Sequence, residues 1–196
     1  MNTTDHIHDA FHNRQIQVVS GKKYCVNPLT DHVPITRPEL LSQIIDEASH
    51  LINHADADFL IGEEDRGGYI CSLFSVPWQK PFTLTKWNPS GFEGELHVDF
   101  RNAYTKGSLY LNGITPELKK AVIVEDMIDT GGTIIAMVHL LREASVEILD
   151  IFAVARKEDY DGSERIEKET GIKPKVLVAF KSGDAVSEVT WRYKTK

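Results

Sequence analysis

The hydrophobic pattern divides the chain into alternating strand-like and helix-like segments. Strand-like segments, most of them short apolar runs, occupy residues 58–62, 81–86, 121–124, 146–155 and 175–180. Apolar residues at helical spacing follow at 38–52, 69–74 and 134–141, and a short polar helix is expected at 163–170. Apolar runs of this kind are typical of strands buried on both faces of a parallel sheet. The alternation predicts an α/β fold with a central, mostly parallel sheet flanked by helices.

Three segments break this alternation. Residues 1–15 are polar and contain His6, His8 and His12, which predicts a mobile or surface-lying arm. Residues 16–36 alternate between apolar and polar around glycine and proline and predict a small strand-and-loop unit. Residues 87–106 have weak periodicity, typical of a functional or disordered loop. The predicted domains are an N-terminal arm and strand unit at 1–36, a core at 37–180 with a flexible loop at about 87–106, and a polar tail at 181–196.

The stretch at 121–133 is a buried strand, an acidic pair, a glycine turn and the start of a helix. Glu125 and Asp126 stand where the strand is expected to end, and Gly131 and Gly132 lie in the turn. In an open α/β sheet, ligands bind at the carboxyl ends of the strands. Glycines let the backbone approach a ligand, and the N–H groups of the next helix attract an anion. A phosphate bound there would bring the two acids within reach of a sugar's hydroxyls.

Residues 125–133 resemble the phosphoribosyl-pyrophosphate (PRPP) signature of the type I phosphoribosyltransferases. The stretch has neither the Gly-Lys-Ser/Thr of a Walker A loop nor the glycine spacing of a dinucleotide fingerprint. The resemblance implies that Glu125 and Asp126 hold the ribose hydroxyls, directly or through Mg²⁺. It also implies that the turn binds the 5′-phosphate through Asp129, Thr130, Gly131, Gly132 and Thr133. Asp129 has a further implied role as the acceptor of the purine N7 proton, and its alternative is a helix cap.

A second turn resembles the family's pyrophosphate loop. It follows the strand at 58–62 and contains Glu64, Asp65, Arg66 and Gly67. The family often has a small residue where this chain has Asp65, and a carboxylate beside pyrophosphate is unfavourable unless it faces Mg²⁺ or solvent. Lys86, at the end of the next strand, is the other implied pyrophosphate ligand. The alternative for Arg66 and Lys86 is an ordinary surface charge.

The remaining implied site residues concern the base and a lid. The unit at 16–36 resembles the hood that covers the purine in the adenine and xanthine branch, and Asn27 is its candidate base contact. The equal alternative for Asn27 is a turn residue before Pro28. Lys157 is implied as a donor to the base's carbonyl oxygen, or else is a surface charge. In the family, the segment at 87–106 is a lid that shields the reaction from water, and here it carries Tyr104 and Lys106.

These features predict a purine phosphoribosyltransferase. A 6-oxopurine such as hypoxanthine, guanine or xanthine is favoured, because adenine enzymes usually carry a glutamate where this chain has Ala103. Adenine is the alternative, since Arg66, Gly67 and the hood resemble the adenine enzymes. Two other functions stay open: a PRPP-binding regulator without transfer activity, and an enzyme with a changed substrate.

Composition and charge limit the possible partners and the cellular location. The 196-residue chain is 41% hydrophobic, enough for one sizeable core, and its net charge of −7 argues against nucleic acid as a partner. Cys25 and Cys71 fit no metal or redox spacing, as expected of free thiols in a reducing cytosol. No apolar run approaches the roughly 20 residues of a membrane span, and the N-terminus lacks a signal-peptide core. The expectation is a cytoplasmic enzyme that uses Mg²⁺, with PRPP and a purine base as partners, and the family resemblance suggests a homodimer.

Overall fold

The computed structural model describes residues 4–101 and 106–195 of the chain. In chain order, the strands are β1 (Ile16–Val19), β2 (Lys22–Cys25), β3 (Phe59–Glu63), β4 (Phe82–Thr85), β5 (Leu96–Arg101), β6 (Lys106–Leu111), β7 (Lys120–Ile128), β8 (Glu147–Lys157), β9 (Lys175–Ser182) and β10 (Ser187–Arg192). The helices are α1 (His6–Phe11), α2 (Pro38–Leu51), α3 (Arg66–Trp78), α4 (Gly132–Glu143) and α5 (Gly162–Thr170). Among these helices, none combines the length and apolarity needed to cross a bilayer.

Six strands form the central sheet, in the order β10-β9-β8-β7-β3-β4. All neighbouring strands are parallel except β9 and β10, which are antiparallel. Side chains alternate between the faces, so Val122 and Val124 pack with α1, α2 and α3, while Ala121 and Ile123 pack with α4 and α5. The predicted fold class is therefore confirmed, and the continuous apolar run in β7 reflects burial on both faces.

Helix α4 is apolar over most of its surface, and only His139, Arg142 and Glu143 are exposed. One side of α4 packs on the central sheet, and the antiparallel strands β5 and β6 cover another side through residues such as Leu96 and Val98.

Within the segment 87–106, expected to be a flexible loop that acts as a lid, residues 96–101 form the strand β5. Leu96, Val98 and Phe100 alternate with polar residues and pack on the core, and sequence reasoning overlooked this short alternation between two turn-rich segments. Tyr104 lies outside the described residues, as does the side chain of Lys106.

The N-terminal segment is packed against the core. Asp5 caps α1 by accepting a hydrogen bond from the backbone N–H of His8 at 3.0 Å. Ile7, Ala10 and Phe11 are buried, and the Phe11 ring stacks on Phe180 with centroids 5.4 Å apart. The predicted mobile or surface arm is wrong for residues 6–11, because three apolar side chains lie on one face of a short helix.

The C-terminal segment closes one edge of the sheet. Residues 187–192, expected to belong to a polar tail, form β10 and pair with β9. Arg192 fixes this strand, because its guanidinium meets Glu47 at 2.5 Å and Asp5 at 3.0 Å with only 7% of its side chain exposed. These ion pairs connect the N-terminal segment, α2 and β10. They could not be predicted from a local sequence pattern, because the paired residues are far apart in the chain.

The strand order creates a switch point between β3 and β7. The chain continues from β3 to β4 on one side of this point and from β7 to β8 on the other. In doubly wound sheets, a crevice opens at such a point outside the carboxyl ends of the two strands. The turns that follow β3 and β7 therefore lie side by side.

Candidate active site

A cavity of about 280 Å³ lies between the β3–α3 turn (residues 63–67) and the β7–α4 turn (residues 129–133). We call it the central cavity. Arg66 and residues 129–133 of the β7–α4 turn line it. Five acidic residues are part of its wall, namely Glu63, Asp65, Glu125, Asp126 and Asp129. The cavity therefore offers an anion a helix N-terminus, and a cation or a hydroxyl a set of acceptors.

Helix α5 braces the β7–α4 turn from behind. Gly131 has φ +74°, and a Cβ there would lie 2.7 Å from both the carbonyl oxygen of Gly162 and a side-chain carbon of Ile166. A Cβ on Gly162 would overlap the carbonyl oxygen of Asp129. Arg165 donates from Nη1 to the carbonyl oxygen of Thr130 at 3.2 Å. Sequence reasoning missed Gly162 and Arg165, because only the fold brings α5 to this turn.

The acidic pair lies inside β7. Sequence reasoning put the end of the strand before Glu125, but β7 pairs with β8 as far as Ile128. Its pairing with β3 ends at Ile123, so both acids occupy the gap where β3 and β7 separate. Glu125 accepts a hydrogen bond from the backbone N–H of Glu63 at 2.9 Å. Oδ2 of Asp126 is buried and has no hydrogen-bond partner among the described residues, which leaves it available to a ligand.

Burial governs the protonation of these acids. It raises the pKa of Glu125 well above its ordinary value, and the charges of Asp126 and Glu63 add to the effect. Burial likewise raises the pKa of Asp126 to about 7, although the nearby Arg66 opposes the shift. A cation bound in the central cavity would favour the ionised forms of both groups.

The β3–α3 turn is occupied by its own carboxylates. Helix α3 begins at Arg66, so Arg66 and Gly67 lie in its first turn rather than in a loop. Oε1 of Glu63 accepts from the backbone N–H groups of Asp65 and Arg66, each at 2.9 Å. Its Oε2 accepts from the indole Nε1 of Trp87 at 2.7 Å. Sequence reasoning missed Glu63 and Trp87, because their contact depends on how β3 and the end of β4 are paired.

Of the five predicted pyrophosphate-binding residues, only two line the central cavity. Asp65 and Arg66 line the central cavity, whereas Glu64 accepts from the backbone N–H of Trp87 at 2.7 Å. Gly67 is needed for space, because a Cβ there would lie 2.7 Å from both carboxylate oxygens of Glu125. Lys86 directs Nζ to the hydroxyl of Ser90 at 3.3 Å and is not part of the described cavity wall.

A second cavity, of about 220 Å³, lies under the hood (residues 16–36), and we call it the hood cavity. Arg66, Met127 and Asp129 line both this cavity and the central one. Lys157 also lines the hood cavity, is 3% exposed, and donates to the carbonyl oxygen of Lys23. Lys157, a predicted base contact, and Asp129, the predicted proton acceptor, therefore line the same cavity.

Asn27, the other predicted base contact, does not line the hood cavity. It is fully buried, its Oδ1 accepts from the N–H groups of Leu29 and Thr30, and its Nδ2 donates to Cys25 and Thr30. Both acceptor sites and both donors of the amide are thus used within the hood. The structure favours the alternative, in which Asn27 organises a turn, over the predicted base contact.

Comparisons with known proteins agree with this geometry. A family model described as "Phosphoribosyl transferase domain" matches residues 92–182. A hypoxanthine/guanine phosphoribosyltransferase of Methanocaldococcus infernus is 37% identical over 155 residues, covering 79% of this chain and 83% of that relative. The corresponding protein of Methanothermobacter marburgensis is 31% identical, covering 89% and 90%.

Solved structures share the fold. An adenine phosphoribosyltransferase of Thermoanaerobacter pseudethanolicus superposes with a TM-score of 0.70 at 18% identity, over 85% of this chain and 95% of its own. A Giardia lamblia APRTase gives 0.72 at 15% identity, over 86% and 94%. The resemblance drawn from residues 125–133 is confirmed, and the chain belongs to the type I phosphoribosyltransferase family of enzymes.

Proposed function

We propose that the protein is a purine-salvage phosphoribosyltransferase that transfers ribose 5-phosphate from PRPP to a 6-oxopurine and releases pyrophosphate. The observation that carries the proposal is that Asp129 lines both the central cavity and the hood cavity. Asp129 therefore lies where a ribose in one cavity would meet a base in the other. The relatives named as hypoxanthine/guanine enzymes support the 6-oxopurine.

In the proposed reaction, purine N9 forms a bond to ribose C1′ while the bond from C1′ to pyrophosphate breaks. Asp129 accepts the proton of purine N7, so the base is neutral in the nucleotide product, and pyrophosphate leaves with the electron pair of the broken bond. The β7–α4 turn binds the 5′-phosphate through its backbone N–H groups and the hydroxyls of Thr130 and Thr133. Lys157 donates to the 6-oxo group, and Arg66 binds the pyrophosphate.

Mg²⁺ fits this site only in partnership with PRPP. No group of three or more His, Cys, Asp or Glu side chains within 4–101 and 106–195 is arranged to hold a metal ion alone. Mg²⁺ commonly binds through one or two carboxylates together with substrate phosphates and water, and Asp126 offers a buried, unpaired carboxylate oxygen. When bound, Mg²⁺ neutralises the charge of the leaving pyrophosphate.

PRPP-dependent pyrophosphate release tests the reaction, with adenine, hypoxanthine, guanine and xanthine assayed separately. Turnover is expected with 6-oxopurines. Asp129→Asn should lower kcat by about 10²- to 10⁴-fold, because it keeps the shape of the side chain but removes the proton acceptor. PRPP binding by this variant, measured by calorimetry, should stay near that of the wild type.

The alternatives have distinct outcomes in the same assay. Turnover with adenine alone would exclude the 6-oxopurine assignment and the role of Asp129 while keeping the family. PRPP binding without turnover of any base would favour a regulator. We also propose that the enzyme is a cytoplasmic homodimer. Size-exclusion chromatography with light scattering tests the dimer by measuring its molar mass.

A further inference from the structure

Asp31 belongs to the hood but contacts the β3–α3 turn. Its Oδ1 lies 3.4 Å from Nη2 of Arg66, and the two side chains are 31% and 41% exposed. Asp31 lines the hood cavity together with Lys157 and Asp129. The hood therefore places a carboxylate in the space proposed for the base.

The orientation of this carboxylate is fixed. Its Oδ2 accepts from the backbone N–H of Asn27 at 3.1 Å and from the hydroxyl of Thr30 at 3.0 Å. Asn27 and Thr30 are buried and hydrogen-bonded to each other, so the turn that holds Asp31 is itself rigid. The Oδ1 atom is left for Arg66 and for a ligand in the hood cavity. A group held in this way recognises a ligand without losing much side-chain freedom on binding.

The chemistry of a carboxylate discriminates among purines. An ionised carboxylate only accepts hydrogen bonds. A 6-oxopurine presents a donor at N1, and guanine adds the 2-amino group beside it, whereas adenine presents a lone pair at N1. A lone pair facing Oδ1 of Asp31 is repelled, and a site built for a donor rejects the analogue that lacks it.

We infer that Asp31 is a specificity-determining residue that accepts hydrogen bonds from the N1–H edge of a 6-oxopurine, and from the 2-amino group when the base is guanine. The inference rests on the proposed function. Lys157 supplies the complementary donor to the 6-oxo group, so the hood cavity carries a donor and an acceptor for adjacent positions of the base. Arg66 is shared between Asp31 and the pyrophosphate of PRPP, and its transfer to pyrophosphate frees Oδ1 for the base.

The variant Asp31→Asn tests this assignment. Its amide oxygen still accepts from Asn27 and Thr30, so the turn is kept, but an NH₂ group replaces Oδ1. We expect kcat/KM for guanine and hypoxanthine to fall by about 10- to 100-fold, while kcat/KM for adenine stays unchanged or rises. If Asp31 had a purely structural role, the variant would lower kcat/KM for all bases alike. The deciding measurement is therefore the ratio of kcat/KM for a 6-oxopurine to kcat/KM for adenine, which we call the base ratio.

Asp184→Asn is the matched control. Asp184 also pairs with a hood cation, Lys23 at 3.2 Å, but its side chain is fully exposed and it is not part of the hood-cavity wall. This variant should keep the wild-type ratio. Asp31→Glu provides a second test should Asp31→Asn fail to fold, because it retains the charge but moves the carboxylate by one methylene, and it should also lower the ratio.

The outcomes separate this inference from the proposed function. A wild-type enzyme that prefers 6-oxopurines, with Asp31→Asn or Asp31→Glu losing that preference, supports the inference. An active wild type whose base ratio is unchanged in a folded Asp31 variant overturns it and leaves the proposed function standing. A wild type inactive with every base removes the proposed function, and the inference falls with it.

Discussion

The two turns at the switch point use the same backbone design in opposite ways. Each follows a parallel strand and opens a helix whose first N–H groups have no partner within the helix. At the β7–α4 turn the N-cap is Gly131, which has no side chain to cap those groups. At the β3–α3 turn the carboxylate of Glu63 already accepts from two of the N–H groups. One turn is open to an anion, and the other holds an internal one.

The difference indicates how the two ends of PRPP would bind. A 5′-phosphate at the β7–α4 turn meets a preformed site that α5 braces through Gly162 and Arg165. Pyrophosphate at the β3–α3 turn would compete with Glu63 for the same N–H groups. The proposed binding mode therefore requires this turn to rearrange, and a bound cation would favour that change by offsetting the carboxylates of the cavity.

Among the tests of this comparison between the two turns, a side chain added to the open β7–α4 turn has the largest expected effect. Gly131→Ala puts a Cβ at φ +74° and 2.7 Å from the carbonyl oxygen of Gly162. We expect KM for PRPP to rise by about 100-fold and the free energy of unfolding to fall by about 2 kcal/mol or more. Steady-state kinetics and thermal unfolding measure the two effects.

Gly171→Ala separates strain from steric overlap. Gly171 follows the C-terminal end of α5 with φ +77°, but a Cβ there would meet nothing within 4 Å. This control should lose about 1 kcal/mol of stability and keep its KM for PRPP. A wild-type KM in Gly131→Ala would contradict the assignment of this turn as the phosphate site.

A smaller effect is expected from pH, through Asp126. Its pKa is raised from 3.8 to about 7 by burial, so the folded free protein holds a proton that the unfolded chain has lost between these values. The stability of the free protein should therefore fall as pH rises through this window. Binding of PRPP with Mg²⁺ needs the ionised form, so affinity should rise by about tenfold from pH 6 to pH 8.

Asp126→Asn supplies the comparison for the pH experiment. The variant should bind PRPP with Mg²⁺ weakly and lose the part of the pH dependence that belongs to this carboxyl, and its free form should unfold at a higher temperature at pH 8. Calorimetric titrations at several pH values measure the affinity. A wild-type affinity that is flat between pH 6 and pH 8 would refute the role given to Asp126.

The smallest effect is expected at the β3–α3 turn, where Glu63 already accepts hydrogen bonds from the backbone N–H groups. Glu63→Gln keeps an oxygen that accepts from Asp65 and Arg66, but it removes the charge and puts an NH₂ group opposite the indole N–H of Trp87. Pyrophosphate should therefore displace the side chain more readily. We expect KM for PRPP and the inhibition constant of pyrophosphate each to fall by about three- to tenfold. Glu64→Gln is the matched control, because Glu64 accepts from Trp87 but does not line the central cavity, and it should change neither constant. A rise in both constants in Glu63→Gln would mean that Glu63 assists pyrophosphate binding.

The errors of sequence reasoning fall on the outer elements. Helix α1 and strands β5 and β10 were expected to be an arm, a loop and a tail, yet each packs on the core. Their patterns are short, and each is stable only against a partner distant in sequence, such as Arg192 with Glu47. Asn27 had two equal interpretations from sequence, and only the hydrogen bonds of the hood favour the turn.

The sequence by itself determined the α/β alternation, the buried strand β7 and the glycine turn with its acidic pair. These features depend on local physics: apolar runs form buried strands, and glycine permits a positive φ and a close approach. Tertiary structure alone decided the contacts of Glu63 with Trp87, Asp31 with Arg66, and Arg165 with Thr130. Each pair is more than twenty residues apart, and its geometry depends on strand order and helix packing, which no local pattern encodes.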